Sequence, residues 1–315
     1  MNFIKELQPG DRVHDIYLCK QRNPAVTKNG KNYDNCMLQD KSGMIDAKIW
    51  EPDSNGIDDF AAMDFVDITG DVSSFNGALQ VSIKRARRVD SSLVDSSLYF
   101  PVSSKDNDIM WNELMAFADS VNEPHLKALL DSFFRQDAEF TELFRRSSAA
   151  KSIHHSFIGG LLEHTLSVTR LCDSYCSYRP ALNRDLLITA AIFHDMGKTK
   201  ELSPFPYNDY TDEGQFIGHI VTGAKMLEDG ISKIDGFPES LRLKLIHCIL
   251  AHHGEYEFGS PKKPALMEAL ALHLADNTDA KLQSFEEALS SVSPAGEGWL
   301  GFNRLFESNI YRSAP

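Results

Sequence analysis

The chain has 315 residues, of which 42% are hydrophobic and 24% are charged. A chain of this length and composition can bury a full hydrophobic core, which excludes a disordered or fibrous protein and leaves room for two domains. The formal net charge of −13 repels phosphates at long range and so argues against a simple basic protein that coats DNA. A local basic groove, or a polyanionic substrate bound through metal ions, is still compatible with it.

Three features of the sequence indicate a cytoplasmic protein. No apolar run approaches the roughly 20 residues of a membrane-spanning helix, and the start MNFIKELQPGDR lacks the basic-then-apolar order of a secretory signal. The five cysteines have no paired spacing, which favours reduced thiols over a disulfide framework. We therefore expect a cytoplasmic location and no membrane partner.

Short β segments with turn signals between them occupy the chain from Arg12 to about Val89, with one brief helix predicted near Ile57 to Met63. The predicted strands are VHDIYLCK, KNYDNCMLQD, MIDAKIW, FVDITGDVS and LQVSIKRAR. Three strands, a short helix and two further strands follow the order of an OB-fold, a small barrel that often binds single-stranded nucleic acid on one face. We therefore predict an OB-fold nucleic-acid-binding domain over residues 1–90.

Two kinds of side chain in this domain suit single-stranded nucleic acid. They are the basic residues Lys84, Arg85, Arg87 and Arg88 and the aromatic residues Tyr33, Trp50 and Phe75. Cations neutralise phosphates and aromatic rings stack on bases. Each aromatic ring taken alone could equally fill the barrel core, and each cation could lie on a solvated strand end. Only the combination favours a binding face.

A serine-rich, acidic stretch over residues 91–108 is predicted to be a linker. After it, apolar residues recur at helical spacing. The predicted helices are MWNELMAFADSV, PHLKALLDSFF, GLLEHTLSVTRLCDSYC, DLLITAAIFHDMG, HIVTGAKMLEDGI, LRLKLIHCILAHHG and LMEALALHLADNTDAKL. The expected fold is thus a small all-β OB-like barrel followed by an all-α domain over residues 109–315.

Ionisable side chains recur within or at the ends of these apolar helices. In chain order they are His164, His194, Asp195, His219, His252, His253 and Asp276. Burying such groups unpaired is costly, so they require either mutual hydrogen bonds or a shared metal. Imidazole and carboxylate ligands suit Mn²⁺, Fe²⁺, Co²⁺ or Zn²⁺, and one carboxylate can bridge two ions. The pattern predicts a divalent-metal centre, in which two ions could share Asp195.

The set His164, His194-Asp195 and Asp276 resembles the H…HD…D signature of the HD superfamily of phosphohydrolases, in the extended form HDxGK. More narrowly, KSIHHSFIGGLLEHTLSV, YTDEGQFIGHIVTGA, LAHHGEYEFGSP and LADNTDAKL are similar to segments of the YhaM-like 3′→5′ exoribonucleases, and the likeness spans nearly the whole chain. It implies an OB domain before an HD domain. It also implies Mn²⁺- or Co²⁺-dependent removal of nucleotides from the 3′ end of RNA, and sometimes of single-stranded DNA, with Fe²⁺, Zn²⁺ and Mg²⁺ as other candidate ions.

Position by position, the resemblance implies two ions. The first would be held by His164, His194, Asp195 and Asp276, and the second by His219, His252 and His253 with Asp195 as the bridge. Related three-metal enzymes have a glutamate where this chain has Gly160, so no third ion is expected. His154 and His155 match a His-His pair of the family whose role the sequence leaves open, and both are candidates to support a metal ligand from behind. The resemblance also points to a homo-oligomer.

In the working hypothesis, two cations activate a water that attacks the last phosphodiester and releases nucleoside 5′-monophosphates. Asp195 is the bridging ligand. Lys198, one turn later, either neutralises a phosphate oxygen or is a surface charge at a helix end. His273 and Asp279 flank Asp276 at helical spacing, so either one supports a ligand from behind or replaces Asp276 as the ligand.

Two other functions fit the same residues. An HD phosphohydrolase of nucleotides or cyclic dinucleotides would share every metal ligand, although the chain reads TKELSPFPY after the HD pair and has no GYP segment there. A non-catalytic protein that binds single strands would keep the HD site for structure only, which the intact ligand set disfavours.

Overall fold

The computed structural model describes residues 2–75, 77–151, 155–290 and 297–313. The chain divides into two compact units, one of residues 1–101 with 205–207 and the other of residues 102–204 with 208–315. Residues 91–101, assigned to the linker from the sequence, thus belong to the first unit. Tyr99 and Phe100 are buried there, with ring centroids 4.8 and 6.4 Å from that of Phe65.

Five strands of the first unit close into a barrel in the order β1-β2-β3-β5-β4. They are β1 (Arg12–Val26), β2 (Asn32–Asp40), β3 (Gly43–Ile49), β4 (Phe65–Phe75) and β5 (Ala78–Val89). Strands β3 and β5 pair in parallel and the other neighbours are antiparallel. This is the strand order of an OB-fold, so that prediction is confirmed.

Alternation of side chains explains how these strands build a barrel. In β2 and β3 the residues at every second position, including Leu38, Ile45 and Ile49, are buried inside, and the residues between them face outward. The first half of β1 pairs with β4 and its second half with β2. A bulge between Cys19 and Gln21 lets the strand bend from one neighbour to the other.

The prediction of a helix near Ile57 to Met63 is wrong, because this segment consists of turns and extended residues. Its backbone groups are used by β5: the Ala86 amide donates to the Gly56 carbonyl and the Asp58 amide donates to the Ala86 carbonyl, both at 2.9 Å. These groups are therefore not available for the bonds of a helical turn.

The second unit is mainly helical, and each predicted helix is present. The helices are α1 (Asn107–Asp119), α2 (Pro124–Phe134), α3 (Ala138–Arg146), α4 (Gly160–Tyr178), α5 (Arg184–Phe193), α6 (Lys198–Glu201), α7 (Asp212–Phe216), α8 (His219–Ile231), α9 (Glu239–Ala251) and α10 (Met267–Ser290). Helix α5 is central, because every residue from 186 to 193 is buried. Within the ranges given above, no helix is both long enough and apolar enough to span a bilayer.

A β-hairpin follows the helices, so the expectation that residues 109–315 are helical throughout is wrong for their end. Its strands are β6 (Gly298–Asn303) and β7 (Ser308–Arg312). Trp299 and Tyr311 pair across the hairpin with ring centroids 5.1 Å apart, and Gly301 supplies a residue with φ +95° beside a bulge. Runs this short carry little periodicity, so the sequence pattern did not reveal them.

Candidate metal centre

The predicted metal ligands come from separate elements that meet around the end of α5. His164 lies within α4 and Asp276 within α10, while His194 and Asp195 directly follow α5. His219 is the first residue of α8, and His252 and His253 directly follow α9. Because α5 is buried along its length, its end delivers the His-Asp pair into the protein interior rather than to the surface.

Gly197, the glycine of the HDxGK motif, allows α8 to approach this pair. A Cβ atom at Gly197 would lie 2.0 Å from the carbonyl oxygen of His219, far inside van der Waals contact. Only glycine leaves room for the start of α8 at this distance. The motif glycine therefore brings His219 to the carboxylate of Asp195.

The first donor set forms around the Nε2 atom of His164. This atom lies 3.1 Å from His194 Nε2, 3.3 Å from Asp195 Oδ2 and 3.2 Å from Asp276 Oδ1. His194 Nε2 is itself 3.4 Å from Asp195 Oδ2. Separations of this size are those between ligand atoms that each lie about 2.1 Å from one ion. The structure thus brings together the four residues expected at the first ion.

The second donor set faces the other oxygen of the same carboxylate. Asp195 Oδ1 lies 3.4 Å from His219 Nε2 and 3.6 Å from His252 Nε2. The ligand atoms of His219, His252 and His253 all lie within 4.8 Å of one another. The two oxygens of Asp195 therefore point at two different groups of imidazoles, which is the arrangement expected of a bridging carboxylate.

Each candidate histidine uses its Nδ1 atom for a second contact. His194 and His252 each lie 2.7 Å from a carbonyl oxygen of the preceding helical turn, and His253 lies 2.9 Å from the carbonyl oxygen of Phe258. His219 contacts Glu201 Oε1 at 3.0 Å and His164 contacts Asp279 Oδ2 at 2.7 Å. Such contacts orient an imidazole and leave Nε2 as the metal ligand.

A divalent cation also fits because it satisfies buried polar atoms. Asp195 Oδ1, His219 Nε2 and His252 Nε2 are fully buried and have no hydrogen-bond partner among the described residues. Buried polar atoms without partners are rare, because each costs the free energy of desolvation without compensation. All three atoms belong to the second donor set, so one cation there would satisfy them together.

The electrostatics of the site favour the ligand forms of several residues. Burial lowers the pKa of His252 and of His253, which keeps these imidazoles neutral and able to bind a metal. Burial opposes the charge of Asp195, but Lys198 and the neighbouring histidines hold its pKa well below the usual range. Burial likewise opposes protonation of His164, yet contacts with three aspartates raise its pKa well above the ordinary value. These aspartates would attract a cation for the same reason.

Lys198 is a largely buried partner of Asp195. Its Nζ atom lies 2.6 Å from Asp195 Oδ2, and its side chain is only 15% exposed. Burial opposes its charge, but Asp195 raises the pKa of Lys198 above the ordinary value, so the ammonium persists. The surface-charge alternative raised by the sequence is therefore excluded.

Among the residues that flank the predicted ligands, Asp279 supports His164 from behind and does not face the donor set. One of its oxygens contacts His164 Nδ1, and the Ser167 hydroxyl donates to the other. His273 contacts the carbonyl oxygen of His252 at 3.0 Å through Nδ1, so it supports the turn after α9. His155 contacts Asp279, whereas His154 lies outside the described residues.

Two supporting residues were missed from the sequence. Glu201 accepts hydrogen bonds from the backbone amide of His219 and contacts its Nδ1 atom, both at 3.0 Å. It lies 18 residues before His219, and no spacing rule links the two positions. Ser167 is one helical turn after His164, so helical spacing could have found it.

The outer face of the barrel gathers part of the predicted nucleic-acid-binding set. Tyr33 and Trp50 stack with ring centroids 5.2 Å apart and planes inclined by 30°, and Trp50 is 49% exposed. Lys48, which the sequence analysis did not select, places Nζ 5.1 Å from the Tyr33 ring centroid and donates to Asn35 at 2.6 Å. These rings therefore lie on the surface rather than in the barrel core. We call Tyr33, Lys48 and Trp50 the aromatic patch.

The remaining predicted binding residues lie elsewhere on the barrel. Phe75 is 65% exposed, but it lies at the β4–β5 turn, where it pairs with Ala78. Trp50 lies away from that turn, because its neighbour Ile49 pairs with Ile83 further along β5. Lys84 forms an ion pair with Asp71, while Arg85 and Arg87 are exposed on β5. The predicted set is thus divided between two regions of the barrel.

The fold and the donor sets define the class of the protein. The family model described as "HD domain" matches residues 161–281, which include His164, the His-Asp pair and Asp276. The chain is therefore a metal-dependent phosphohydrolase of the HD type with an OB-like barrel at its N-terminal side.

Curated relatives identify the family more narrowly. The chain is 33% identical over 289 residues to the 3′-5′ exoribonuclease YhaM of Bacillus pumilus, covering 90% of both chains. It is 32% identical over 287 residues to that of Bacillus subtilis, again covering 90% of both, and 30% identical over 292 residues to that of a Geobacillus species, covering 92% of this chain and 89% of the relative. The chain belongs to the YhaM family of 3′-5′ exoribonucleases.

Two solved structures that are similar to part of the chain contain replication protein A. The second OB-fold domain of replication protein A from Methanococcus maripaludis is 20% identical with a TM-score of 0.22, covering 30% of this chain and 100% of that domain. A replication protein A heterotrimer bound to single-stranded DNA is 17% identical with a TM-score of 0.21, covering 30% of this chain and 66% of that one. The assignment of the barrel stands on its strand order.

Proposed function

We propose that this protein is a 3′→5′ exoribonuclease that uses two divalent cations to release nucleoside 5′-monophosphates from single-stranded RNA, with single-stranded DNA as a further candidate substrate. The observation that carries the proposal is the carboxylate of Asp195, whose two oxygens face two separate sets of imidazoles. The activity for which the relatives are named supports RNA as the substrate and the 3′ end as the starting point.

The donor sets assign the proposed ions to residues. His164, His194, Asp195 and Asp276 would hold the first, and His219, His252 and His253 would hold the second with Asp195 between them. Mixed imidazole and carboxylate ligands suit Mn²⁺, Co²⁺, Fe²⁺ or Zn²⁺. We propose Mn²⁺ or Co²⁺ as the working ion, ahead of Fe²⁺, Zn²⁺ or Mg²⁺, because the family resemblance implies these two. Bound there, two cations lower the pKa of a water molecule and neutralise charge on phosphate oxygens.

The chain's own residues orient the substrate at this centre. We propose that Lys198 contributes to catalysis through its remaining N–H groups, because an ammonium has three donors and only one is needed for Asp195. A second N–H can bind a nonbridging phosphate oxygen as negative charge grows there. Asp195 holds Lys198 in place and keeps it charged.

We propose that the aromatic patch binds single-stranded RNA on the barrel. Its stacked rings offer π-faces to bases, and Lys48 supplies a cation for a phosphate. Binding through a local patch also accommodates the net charge of −13, since the rest of the surface can remain acidic. A cytoplasmic location suits an RNA substrate, and the homo-oligomer implied by the resemblance stays a prediction.

The test uses 5′-labelled single-stranded RNA with Mn²⁺, beside a circular RNA of the same sequence. We expect a shrinking ladder from the linear RNA, no cleavage of the circle, and nucleoside 5′-monophosphates as chromatographic products. Chelator and Asp195→Asn should each abolish the ladder. His125→Asn is the matched control, because His125 in α2 contacts Glu123, the residue before that helix, and is not among the candidate ligands.

Other results would favour the alternative functions. Cleavage of the circular RNA would show an endonuclease and refute the 3′-end assignment. Intact RNA together with hydrolysis of nucleotides or cyclic dinucleotides would favour the HD phosphohydrolase of small substrates. Binding of RNA without release of mononucleotides under any of the named cations would favour a non-catalytic binding protein.

A further inference from the structure

His155 belongs to a buried chain of side chains that ends at the first donor set. Its Nε2 atom lies 3.1 Å from Asp279 Oδ2, and the same oxygen lies 2.7 Å from His164 Nδ1. His155 is 1% exposed, His164 3% and Asp279 9%. His155 thus reaches the Nε2 atom of His164 through Asp279.

The hydrogen-bond donors define the direction of the contacts from His155 through Asp279 to His164. His155 Nδ1 is buried and has no hydrogen-bond partner in the described part of the chain, so Nε2 is the atom that carries the proton and donates to Asp279. The Ser167 hydroxyl donates to the other oxygen of Asp279. Both oxygens are therefore occupied, and the carboxylate cannot rotate without breaking a buried contact.

The backbone places His155 at this position against its local preference. The residue has φ +60°, in the left-handed region that residues other than glycine seldom occupy. Its carbonyl oxygen accepts from the Ala149 amide at 3.0 Å, and a Cβ atom at Gly160 would lie 2.0 Å from that oxygen. Gly160 thus lets the residue 155 backbone lie directly against the start of α4. Disfavoured backbone conformations of this kind are concentrated at functional sites.

We propose that His155 is a positioning residue for the first cation: it fixes Asp279, which in turn fixes the imidazole of His164. The proposal rests on the two-cation centre of the proposed function. It applies to the first cation alone, because the second donor set is supported by Glu201 and by backbone carbonyl oxygens, none of which contacts His155 in the described structure. Outer partners of metal-binding histidines typically contribute roughly 10- to 100-fold in metal affinity.

The test is a Mn²⁺ titration without RNA, with the free ion measured by electron paramagnetic resonance. The wild-type protein should bind two ions. His155→Leu removes the donor and should weaken one of them by roughly 10- to 100-fold while leaving the other unchanged. His155→Gln keeps an N–H donor near the position of Nε2 and should restore most of the affinity.

Three further variants identify the affected ion. Glu201→Gln should weaken the other site instead, and His155→Leu should have no further effect once Asp276→Ala has removed the first ion. His125→Leu removes a different histidine–carboxylate contact of the same unit and should change neither affinity. Should His155→Leu fail to fold, His155→Asn replaces it, because the shorter asparagine side chain does not reach Asp279. The His155→Asn protein should then bind the first ion more weakly than the His155→Gln protein.

Three results would overturn the proposal. They are unchanged affinities in His155→Leu, equal weakening of both sites, and a third ion in the wild type that is lost with His155, which would make His155 a ligand. Failure of the proposed function is separable, because the titration uses no RNA. A protein that binds two Mn²⁺ ions with this response but leaves RNA intact would retain the positioning role and lose the exoribonuclease assignment.

Discussion

Replacing Asp195 by asparagine should destabilise the metal-free protein as well as abolish its activity. The substitution keeps the size of the side chain and removes its charge. Lys198 then loses the carboxylate that lies 2.6 Å from its Nζ atom, in a place where the lysine side chain is 15% exposed and the aspartate side chain 2%. The lysine ammonium would be left buried without its direct partner.

The size of the effect follows from the burial of the pair. Removing one partner of a buried ion pair typically costs about 3–5 kcal/mol of the free energy of unfolding. Asp276 and Glu201 also raise the pKa of Lys198 and remain in the variant, so we expect the lower end, about 3 kcal/mol. Adding Lys198→Met removes the unpaired charge and should restore most of the lost stability, with a coupling of about 2–3 kcal/mol between the two positions.

The assay is urea unfolding in the presence of chelator, followed by far-ultraviolet circular dichroism, for the wild type, both single variants and the double variant. His125→Asn again serves as a control away from the metal centre. A single variant Asp195→Asn as stable as the wild type would refute the reasoning. So would a double variant no more stable than Asp195→Asn, since the cost would then not come from the unpaired lysine.

Three other predictions follow from the same structure. Mn²⁺ at about 100 times its dissociation constant should stabilise the helical unit by about 2.7 kcal/mol per bound ion. Calorimetry with and without chelator should show the unfolding temperature of the helical unit rising with Mn²⁺. An equal rise in the unfolding temperature of the barrel would contradict the site assignment. Trp50→Ala in an Asp195→Asn background should weaken binding of a single-stranded oligoribonucleotide by about 5- to 100-fold in fluorescence anisotropy, and Phe75→Ala should weaken it less; equal losses would argue against the aromatic patch. Burial raises the pKa of Tyr99 from 10.0 to about 12, so its neutral form should stabilise the barrel fully below pH 10 and progressively less as the pH rises towards 12. Tyr99→Phe should therefore make the loss of stability at alkaline pH less steep. An unchanged dependence of stability on pH would contradict this.

Local patterns were sufficient for the elements and for the identity of the candidate ligands. Strand alternation and turn residues predict the five barrel strands, and the helical spacing of apolar residues predicts the helices that carry His164 and Asp276. These periodicities depend on neighbours within a few positions, so they can be recognised without knowing the fold. Ionisable residues buried within apolar segments are unfavourable unless they form hydrogen bonds or bind a metal, which made the ligand candidates recognisable.

Contacts between distant parts of the chain were decided only by the tertiary structure. The segment after Trp50 could not form its predicted helix because β5 takes up its backbone hydrogen bonds, and β5 lies further along the chain. Lys198 could be a surface residue or a buried one until the position of Asp195 Oδ2 was known. Similarly, Asp276 and Asp279 lie one turn apart, and only the packing of α4 against α10 shows which of them faces the donor set.

The amino-acid sequence by itself determined the barrel, the helical domain and the residues able to bind metal, because each is expressed in local spacing and residue type. The tertiary structure decided that the two oxygens of Asp195 face different imidazole sets, that Glu201 supports His219, and that His155 reaches His164 through Asp279. Of these contacting residues, His155 and Asp279 are 124 positions apart in the sequence. Such contacts depend on helix packing and on close approaches at glycine, which no local pattern encodes.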